Sequence, residues 1–437
     1  MSTAATFQPP AVPRGPLDRV LSLFSRVEAG EGAGALLLAA NVFLLLGAYY
    51  VLKTVREPLI LAQEGGAQIK SYASAGQAML FLLVVPIYSA VASRFNRMGL
   101  IGGVTLFFIS NLAIFYVLGN AGVGIGIAFF LWVGVFNMLV VAQFWAFAND
   151  VYTEEQGKRL FPIVGVGASL GAWVGSTAAG QLFKVLDPFQ LMMVAAAVLC
   201  GCILLTYLVH RREGRSSPKQ QQEKLDKKGG FQLVVKDRYL LLIAILVLLL
   251  NAVNTTGEYI VGRFVSESAA AVAEADRKAF IGQFYGNYFS WVNLLGFLIQ
   301  TFLVSRIFSW IGVRGALFVL PAIALGGYGL LTVLPVLGVV KVAKIFENST
   351  DYSLNNTVRH ALFLPTSREA KYKGKAATDT FFVRAGDLLQ AAIVFIGFEL
   401  LGWSVRGFAL FNIAMVVLWI WVAVLIARKH KTLSAEA

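Results

Sequence analysis

The chain has 437 residues, 57% of them apolar and only 14% charged, where ordinary soluble domains run at about 45–50% and about 25%; a soluble globular protein is excluded. The formal charge of +13 would point to nucleic acid in a soluble chain, but no nucleic-acid-binding module is visible. The basic residues gather instead in loops between apolar runs, the positive-inside bias of membrane proteins, so no nucleic-acid partner is expected.

The first residues, MSTAATFQPPAVPRGPLDRV, show no apolar core behind a basic start, and no cleavable signal peptide is expected. A cytoplasmic N-terminal segment over 1–33 is followed by apolar runs of 18 or more residues. Each is long enough to cross about 30 Å of hydrocarbon as a helix. The short alternating strands of a membrane β-barrel are not the pattern here. Six spans are predicted near 34–60, 71–93, 98–118, 122–149, 160–183 and 187–210. Six more are predicted near 238–264, 280–305, 308–331, 335–357, 376–402 and 405–427. Between the two sets lies one long polar stretch, HRREGRSSPKQQQEKLDKKGG, which makes 211–236 a cytoplasmic linker. It divides an N-terminal half, 34–210, from a C-terminal half, 237–427, and a cytoplasmic tail covers 428–437. The expected fold is thus all-α, a polytopic membrane protein of about twelve helices in two six-helix halves. That is the plan of major-facilitator-type proteins, which hold a solute near the midplane between the halves.

Orientation follows from the bases. With the N-terminus inside, the inside loops hold Arg94, Arg97, Lys158, Arg159, Arg306, Arg314, Arg359 and Lys371, while Lys70, Lys184, Arg263 and Arg277 fall outside. Both termini are therefore expected in the cytoplasm. Cys200 and Cys202 sit inside an apolar run and read as packing residues. His210, His360 and His430 have no metal-ligand spacing, so no metal and no cofactor are expected. Gly167, Gly171 and Gly175 recur every four residues, a small-residue face for close helix approach. No phosphate-binding loop is meant, because no Lys-Ser/Thr follows. No nucleophile with its base is found, and no catalytic residue or enzymatic activity is expected.

The informative residues are ionisable groups within spans. They are Lys53, Arg56 and Glu57 in the first span, Glu258 in the seventh, Lys341, Lys344, Glu347 and Asp351 in the tenth, and Asp379, Arg384 and Asp387 in the eleventh. Each costs about 2.5–3.5 kcal/mol at mid-bilayer. Five bases in lipid would then cost roughly 12–17 kcal/mol, comparable to a whole fold's stability. They must face water, pair with acids or snorkel. Lys53 and Glu57 are four apart, and Lys344, Glu347 and Asp351 follow three-then-four spacing, so each set forms a stripe on one helix face. Such a set suits a cationic midplane site for an anionic solute, with the acids as gate or coupling groups. Interhelical salt bridges that lock the bundle are the structural alternative. Among the neutral groups, Asn137 and Asn149 in the fourth span and Asn251 in the seventh are candidate ligands, with helix–helix hydrogen bonding as the alternative. Tyr49, Tyr50, Tyr285 and Tyr288 offer faces for a base or serve as packing.

Three stretches carry a family resemblance: LKTVREPLIL at 52–61, FWAFANDVYTEEQGKRLFP at 144–162, and DYSLNNTVRHALFLPTSREAKYKGKAATDTFFVRAGD at 351–387. With them the chain resembles the ATP/ADP translocase, or nucleotide transporter, family, in its bacterial major-facilitator-like branch. The resemblance implies exchange of ATP for ADP, or transport of a related phosphorylated anion, by alternating access. It implies a bacterial cytoplasmic membrane, a monomer in the lipid bilayer, and a small anionic solute, a nucleotide, as partner. Its motifs fall on Lys53, Arg56 and Glu57, on Asn149 and Asp150, and on Asp379 and Arg384; together with the polar and charged groups read from the spans, the expected substrate contacts are Lys53, Arg56, Asn137, Asn149, Asn251, Lys344 and Arg384. Coupling or gating falls to Glu57, Asp150, Glu258, Glu347, Asp379 and Asp387. The chain departs from the plastid and parasite pattern at Arg384-Ala-Gly-Asp387, where an acid stands in place of a base. Two alternatives keep the architecture: a proton-coupled exporter of another solute, and a non-transporting membrane scaffold or sensor.

Overall fold

The computed structural model describes residues 15–22, 25–92, 94–213 and 229–436. The N-terminal residues before 15 and residues 214–228 of the expected linker lie outside the described residues. Twelve helical rods follow one another, joined by short turns. The first six are α1 (Glu31–Leu61), α2 (Gly66–Ala92), α3 (Arg97–Asn120), α4 (Gly126–Val151), α5 (Glu154–Leu182) and α6 (Pro188–Glu213). After a short helix at Gly230–Lys236 comes α7 (Arg238–Ala270). Then α8 runs over 277–316, α9 over Val319–Val333, α10 over 337–362, α11 over Ala370–Leu400 and α12 over Val405–Glu436. Ten of these helices are long and apolar enough to cross a membrane. The others are the short apolar α9 and the charge-bearing α10.

Turn chemistry fixes where the rods begin. Asn96 accepts from the Gly99 N–H at 2.7 Å to start α3. Thr153 and Gln156 cap each other across the start of α5, and Asp237 takes the Tyr239 and Leu240 N–H groups at the start of α7. Each cap satisfies amides that a helix start leaves open. One boundary differs from expectation. The break between the eighth and ninth spans was predicted near residue 307, yet α8 continues past Arg306, whose guanidinium donates back to the Phe302 carbonyl at 2.6 Å. The chain leaves the helix only at Gly312, with φ +68°, the first residue there that tolerates this conformation.

Two apolar cores form, one per half. The first holds α1 and α3–α6 residues such as Leu38, Val42, Phe136, Leu191 and Leu199. The second is built on α7–α12 and extends into the N-terminal half chiefly through Ile60, Leu61, Ala67 and Ala73, at the α1–α2 turn. Within the first core, α5 lies directly on α1. A Cβ added at Gly167, Gly171 or Gly175 would stand 2.5, 2.2 or 2.4 Å from the carbonyl oxygens of Ala39, Phe43 and Gly47. The expected small-residue face is therefore a backbone-on-backbone contact.

The start of α1, the end of α6, the start of α7 and the end of α12 lie at one face of the bundle, here called the terminal face. Contacts between the halves run from mid-height to the opposite, far face. Ser266 of α7 donates to the Leu61 carbonyl at 3.0 Å. Gln390 of α11 donates to Ser71 of α2 at 3.0 Å. Along the α5–α8 crossing, Thr177 and Ser290 hydroxyls lie 2.7 Å apart, and Asn293 donates to the Ala172 carbonyl at 3.2 Å. At the far end of that crossing a Cβ on Gly286 would sit 2.3 Å from the Gly180 Cα.

This last contact yields a test. Overpacking costs about 1–3 kcal/mol, a shift of roughly five- to 150-fold in an open–closed equilibrium. Gly286→Leu is expected to part the far face. In a C200S/C202S background, a cysteine placed at Ser290 should then react that much faster with a water-soluble maleimide. Equal labelling rates with and without Gly286→Leu would show that this crossing does not close the far face.

Candidate functional site

Near the far end of α1, Lys53, Arg56 and Glu57 lie on one helix face, just before Pro58. Pro58 has no N–H for the Thr54 carbonyl and loosens the helix there. Glu57 is fully buried. Its Oε1 accepts from Arg56 Nη2 at 2.6 Å and its Oε2 from Lys70 Nζ of α2 at 2.6 Å. The remaining ligands of these bases are rings. Arg56 stacks over Phe130 of α4 at 4.4 Å, and Lys70 sits 5.1 Å from the Tyr285 ring of α8, in the other half.

The C-terminal half supplies a matching set. Lys344 of α10, 1% exposed, donates to Glu347 Oε1 at 2.8 Å, to Asn254 Oδ1 at 2.8 Å and to the Asn254 carbonyl at 3.1 Å. The other oxygen of Glu347 accepts from the Tyr328 hydroxyl at 3.1 Å. Glu258 of α7 accepts from the Tyr288 hydroxyl and from Asn348 Nδ2, each at 2.8 Å. It also lies within electrostatic reach of Lys344 and Lys70.

Around this seam stand four bases, Lys53, Arg56, Lys70 and Lys344, and four acids, Glu57, Glu258, Glu347 and, joined to Lys344 through the Asn254 amide, Asp351. Within that set Lys53 has no carboxylate in bonding range. Its ammonium lies 4.4 Å from the Phe289 ring of α8 and 5.1 Å from the Tyr50 ring. Cation–π contact gives about 0.5–2 kcal/mol, far less than the several kcal/mol of desolvation that burial exacts from an ion. Lys53 is therefore the base of this set left for an incoming anion to pair with.

Nearer the terminal face is a second cluster. Asn251 of α7 donates to Asp387 Oδ1 and to the Val383 carbonyl of α11, both at 2.8 Å. Arg384 donates to Asp387 Oδ2 at 2.9 Å and stacks 4.7 Å from Phe81 of α2. Its side chain is 39% exposed, although it lies midway along a membrane helix, so the gap between the halves opens toward the terminal face.

Of the sequence-predicted residues, the structure brings Lys53, Arg56, Glu57, Glu258, Lys344 and Glu347 to one seam, and Asn251, Arg384 and Asp387 beside it. It does not bring in the others. Asn149 and Asp150 are exposed at the terminal end of α4, where Asp150 pairs with Arg97. Asn137 lies at mid-α4 and is half-buried, with no hydrogen bond among the described residues. Asp379 binds Arg359 and Lys375 at 2.5 and 2.8 Å, tying α11 to the end of α10. Tyr285 and Tyr288 are fully buried in packing, so neither presents a face to a ligand.

Lys70 was missed. It was taken for a loop residue because α2 was expected to begin at 71, whereas the helix starts at Gly66. A signal was present. Glu57 stands four residues before the end of α1 and Lys70 four after the start of α2, so a tight turn sets the two opposite charges level. Among the described residues, no group of three or more His, Cys, Asp or Glu could hold a metal ion.

The family model of the Major Facilitator Superfamily matches residues 34–355, and that of the TLC ATP/ADP transporter matches 306–430. ADP,ATP carrier protein 1 of Chlamydia trachomatis is 25% identical over 65% of this chain and 59% of its own length. ADP,ATP carrier protein 3 of Rickettsia bellii is 21% identical over 69% of each chain. The match thus spans about three-fifths of the chlamydial carrier. Among solved structures, a bacterial homologue of the iron transporter ferroportin in an inward-facing state superposes with a TM-score of 0.66, at 13% identity, over 90% of this chain and 98% of that one. The nucleoside transporter NupG gives 0.63 at 12% identity, over 92% and 98%. These likenesses show the fold. The resemblance to ATP/ADP translocases carried by the three motifs is borne out by the TLC match and the carrier relatives.

The Lys344–Glu347 pair yields a prediction. Removing one partner of a buried pair costs about 3–5 kcal/mol, while removing both is often near neutral. Glu347→Gln should lower the melting temperature of the purified protein, and K344M/E347Q should recover most of the loss. A double variant less stable than either single one would refute this account of the pair.

Proposed function

We propose that this chain, which belongs to the major facilitator superfamily, is a secondary transporter that exchanges ATP for ADP, or carries a related phosphorylated anion, by alternating access. One observation carries this reading: four bases from the two halves converge on the seam, and Lys53 among them lacks a carboxylate partner. Phosphate oxygens accept charge-assisted hydrogen bonds from Lys and Arg. An anion in the gap meets Lys53 and Arg56 on α1 and Lys344 on α10, with Arg384 on its path from the terminal face. Binding groups on both halves let one ligand draw the halves together, as a midplane site requires. Glu57 and Glu347 hold the bases in register when the site is empty. The ADP,ATP carrier names of the relatives support the nucleotide class. We further propose a monomer in a bacterial cytoplasmic membrane, with both termini inside.

Glu258 motivates a second reading. Its hydrogen-bond partners are the neutral Tyr288 and Asn348, so a proton can add to it without breaking an ion pair in bonding range. A proton-coupled carrier would use it so.

The test is uptake of labelled ATP into liposomes holding the purified protein. Vesicles loaded with ADP should take it up and empty vesicles should not. Lys53→Gln should cut the rate roughly 10- to 150-fold, the range for loss of a hydrogen bond to a charged group. Uptake into empty vesicles driven by a pH gradient selects the Glu258 reading. No uptake under either condition by folded protein removes nucleotides as substrate.

A further inference from the structure

The cationic seam explains binding of phosphate but not of anything attached to it. Four residues past Asn348 on the same face of α10, and so one turn nearer the terminal face, stands Tyr352. Asn348 touches Glu258 and Tyr288, which sets the direction of that face. Tyr352 is 48% exposed, yet it lies within electrostatic reach of Tyr49 and Tyr50 on α1, in the opposite half, and of Glu258. Its ring therefore faces the gap between the halves, and no aromatic neighbour covers it among the described residues.

We infer that Tyr352 is the platform on which a flat aromatic ring, the base of a nucleotide, stacks while its phosphates occupy the lysine cluster. This rests on the proposed function and adds the residue that distinguishes a nucleotide from a bare polyphosphate.

The backbone supports the assignment. Tyr352 belongs to a π-helical turn, Asp351–Asn355, inserted in α10. Such turns re-aim side chains and are frequent at functional sites. Asp351 holds the turn, accepting from Asn355 Nδ2 at 2.8 Å and from Asn254 Nδ2 at 3.4 Å. The same Asn254 accepts from Lys344 through its Oδ1 at 2.8 Å. One amide thus links the lysine to the turn that presents the ring. Eight residues of helix set Lys344 and Tyr352 about 12 Å apart along the axis, a span suited to a ligand anionic at one end and aromatic at the other. Stacking tolerates any base, because every base has a π-face; selectivity among bases is not expected from this residue.

The experiment measures equilibrium binding of ATP and of inorganic tripolyphosphate to the purified full-length protein, wild type, Tyr352→Ala and Tyr352→Phe. Losing one stacked base weakens binding by roughly 5- to 150-fold. Tyr352→Ala should lose that much affinity for ATP and none for tripolyphosphate, and Tyr352→Phe should keep most of it. Equal loss for both ligands would make Tyr352 structural and overturn the inference, as would no loss for either. Wild-type protein that binds tripolyphosphate as tightly as ATP would also overturn it, while leaving the anion site standing. Binding of neither ligand by wild type would bring down the nucleotide reading and this inference with it.

Discussion

A charge inside hydrocarbon has to be solvated by the protein itself, and the way this chain does so sets the terms for its motion. The buried ion pairs of the interior each stay within one half. Glu57 is satisfied by Arg56 and Lys70, Lys344 by Glu347, Asp387 by Arg384. Across the seam the contacts are of another kind: hydroxyl and amide hydrogen bonds, and bases over rings. Separating a buried ion pair costs about 3–5 kcal/mol, whereas neutral hydrogen bonds average about 0.6 kcal/mol between membrane helices. The halves can therefore part without breaking a buried ion pair.

The two halves are also built differently. In the first, α5 is pressed against the backbone of α1 through Gly167, Gly171 and Gly175, so these helices move as a block. In the second, α8, α10 and α11 carry π-helical turns, at Ile299–Leu303, Asp351–Asn355, Ala370–Gly374, Thr378–Phe382 and Ile396–Leu400. A π turn leaves part of the hydrogen-bond ladder out of step and marks where a helix bends or re-aims its side chains. The α10 turn contains Tyr352, and one of the α11 turns ends two residues before Arg384.

Much of this was legible in the sequence, and the rest fails for identifiable reasons. Apolar runs give the spans because length and hydropathy alone decide whether a helix can cross. The charges at Lys53, Glu57, Lys344 and Glu347 stood out because the bilayer makes them costly. The glycine spacing on α5 marked a close helix contact, though not that α1 would be its partner. Tertiary partnership was not legible. Nothing local distinguishes Asp387, which meets Asn251 of α7, from Asp379, which ties two helix ends together. Asn149 and Asp150 stand at the end of the predicted fourth span, and α4 ends beside them; the family motif, not depth, made them candidates. Lys70 escaped because α2 begins at Gly66, ahead of its apolar run, and Tyr352 because neither a charge nor a repeat marks it in the sequence.

The imbalance at Lys53 bears on coupling as well as on affinity. In the closed far-face arrangement its charge rests partly on Phe289, a residue of the other half. Opening the far face withdraws that ring and leaves Tyr50, on the same helix. While the gap is still shut to water, an empty carrier must make the transition with a base whose solvation falls short by about one desolvated cation–π contact, up to ~2 kcal/mol. A bound anion stays with Lys53 through the movement and removes that penalty. On the proposed reading the loaded form crosses faster than the empty one by up to roughly 30-fold, which is the asymmetry that turns a uniporter into an exchanger. A proton on Glu258 would leave Lys53 unrelieved, so on the proposed reading exchange relieves a charge that proton coupling does not.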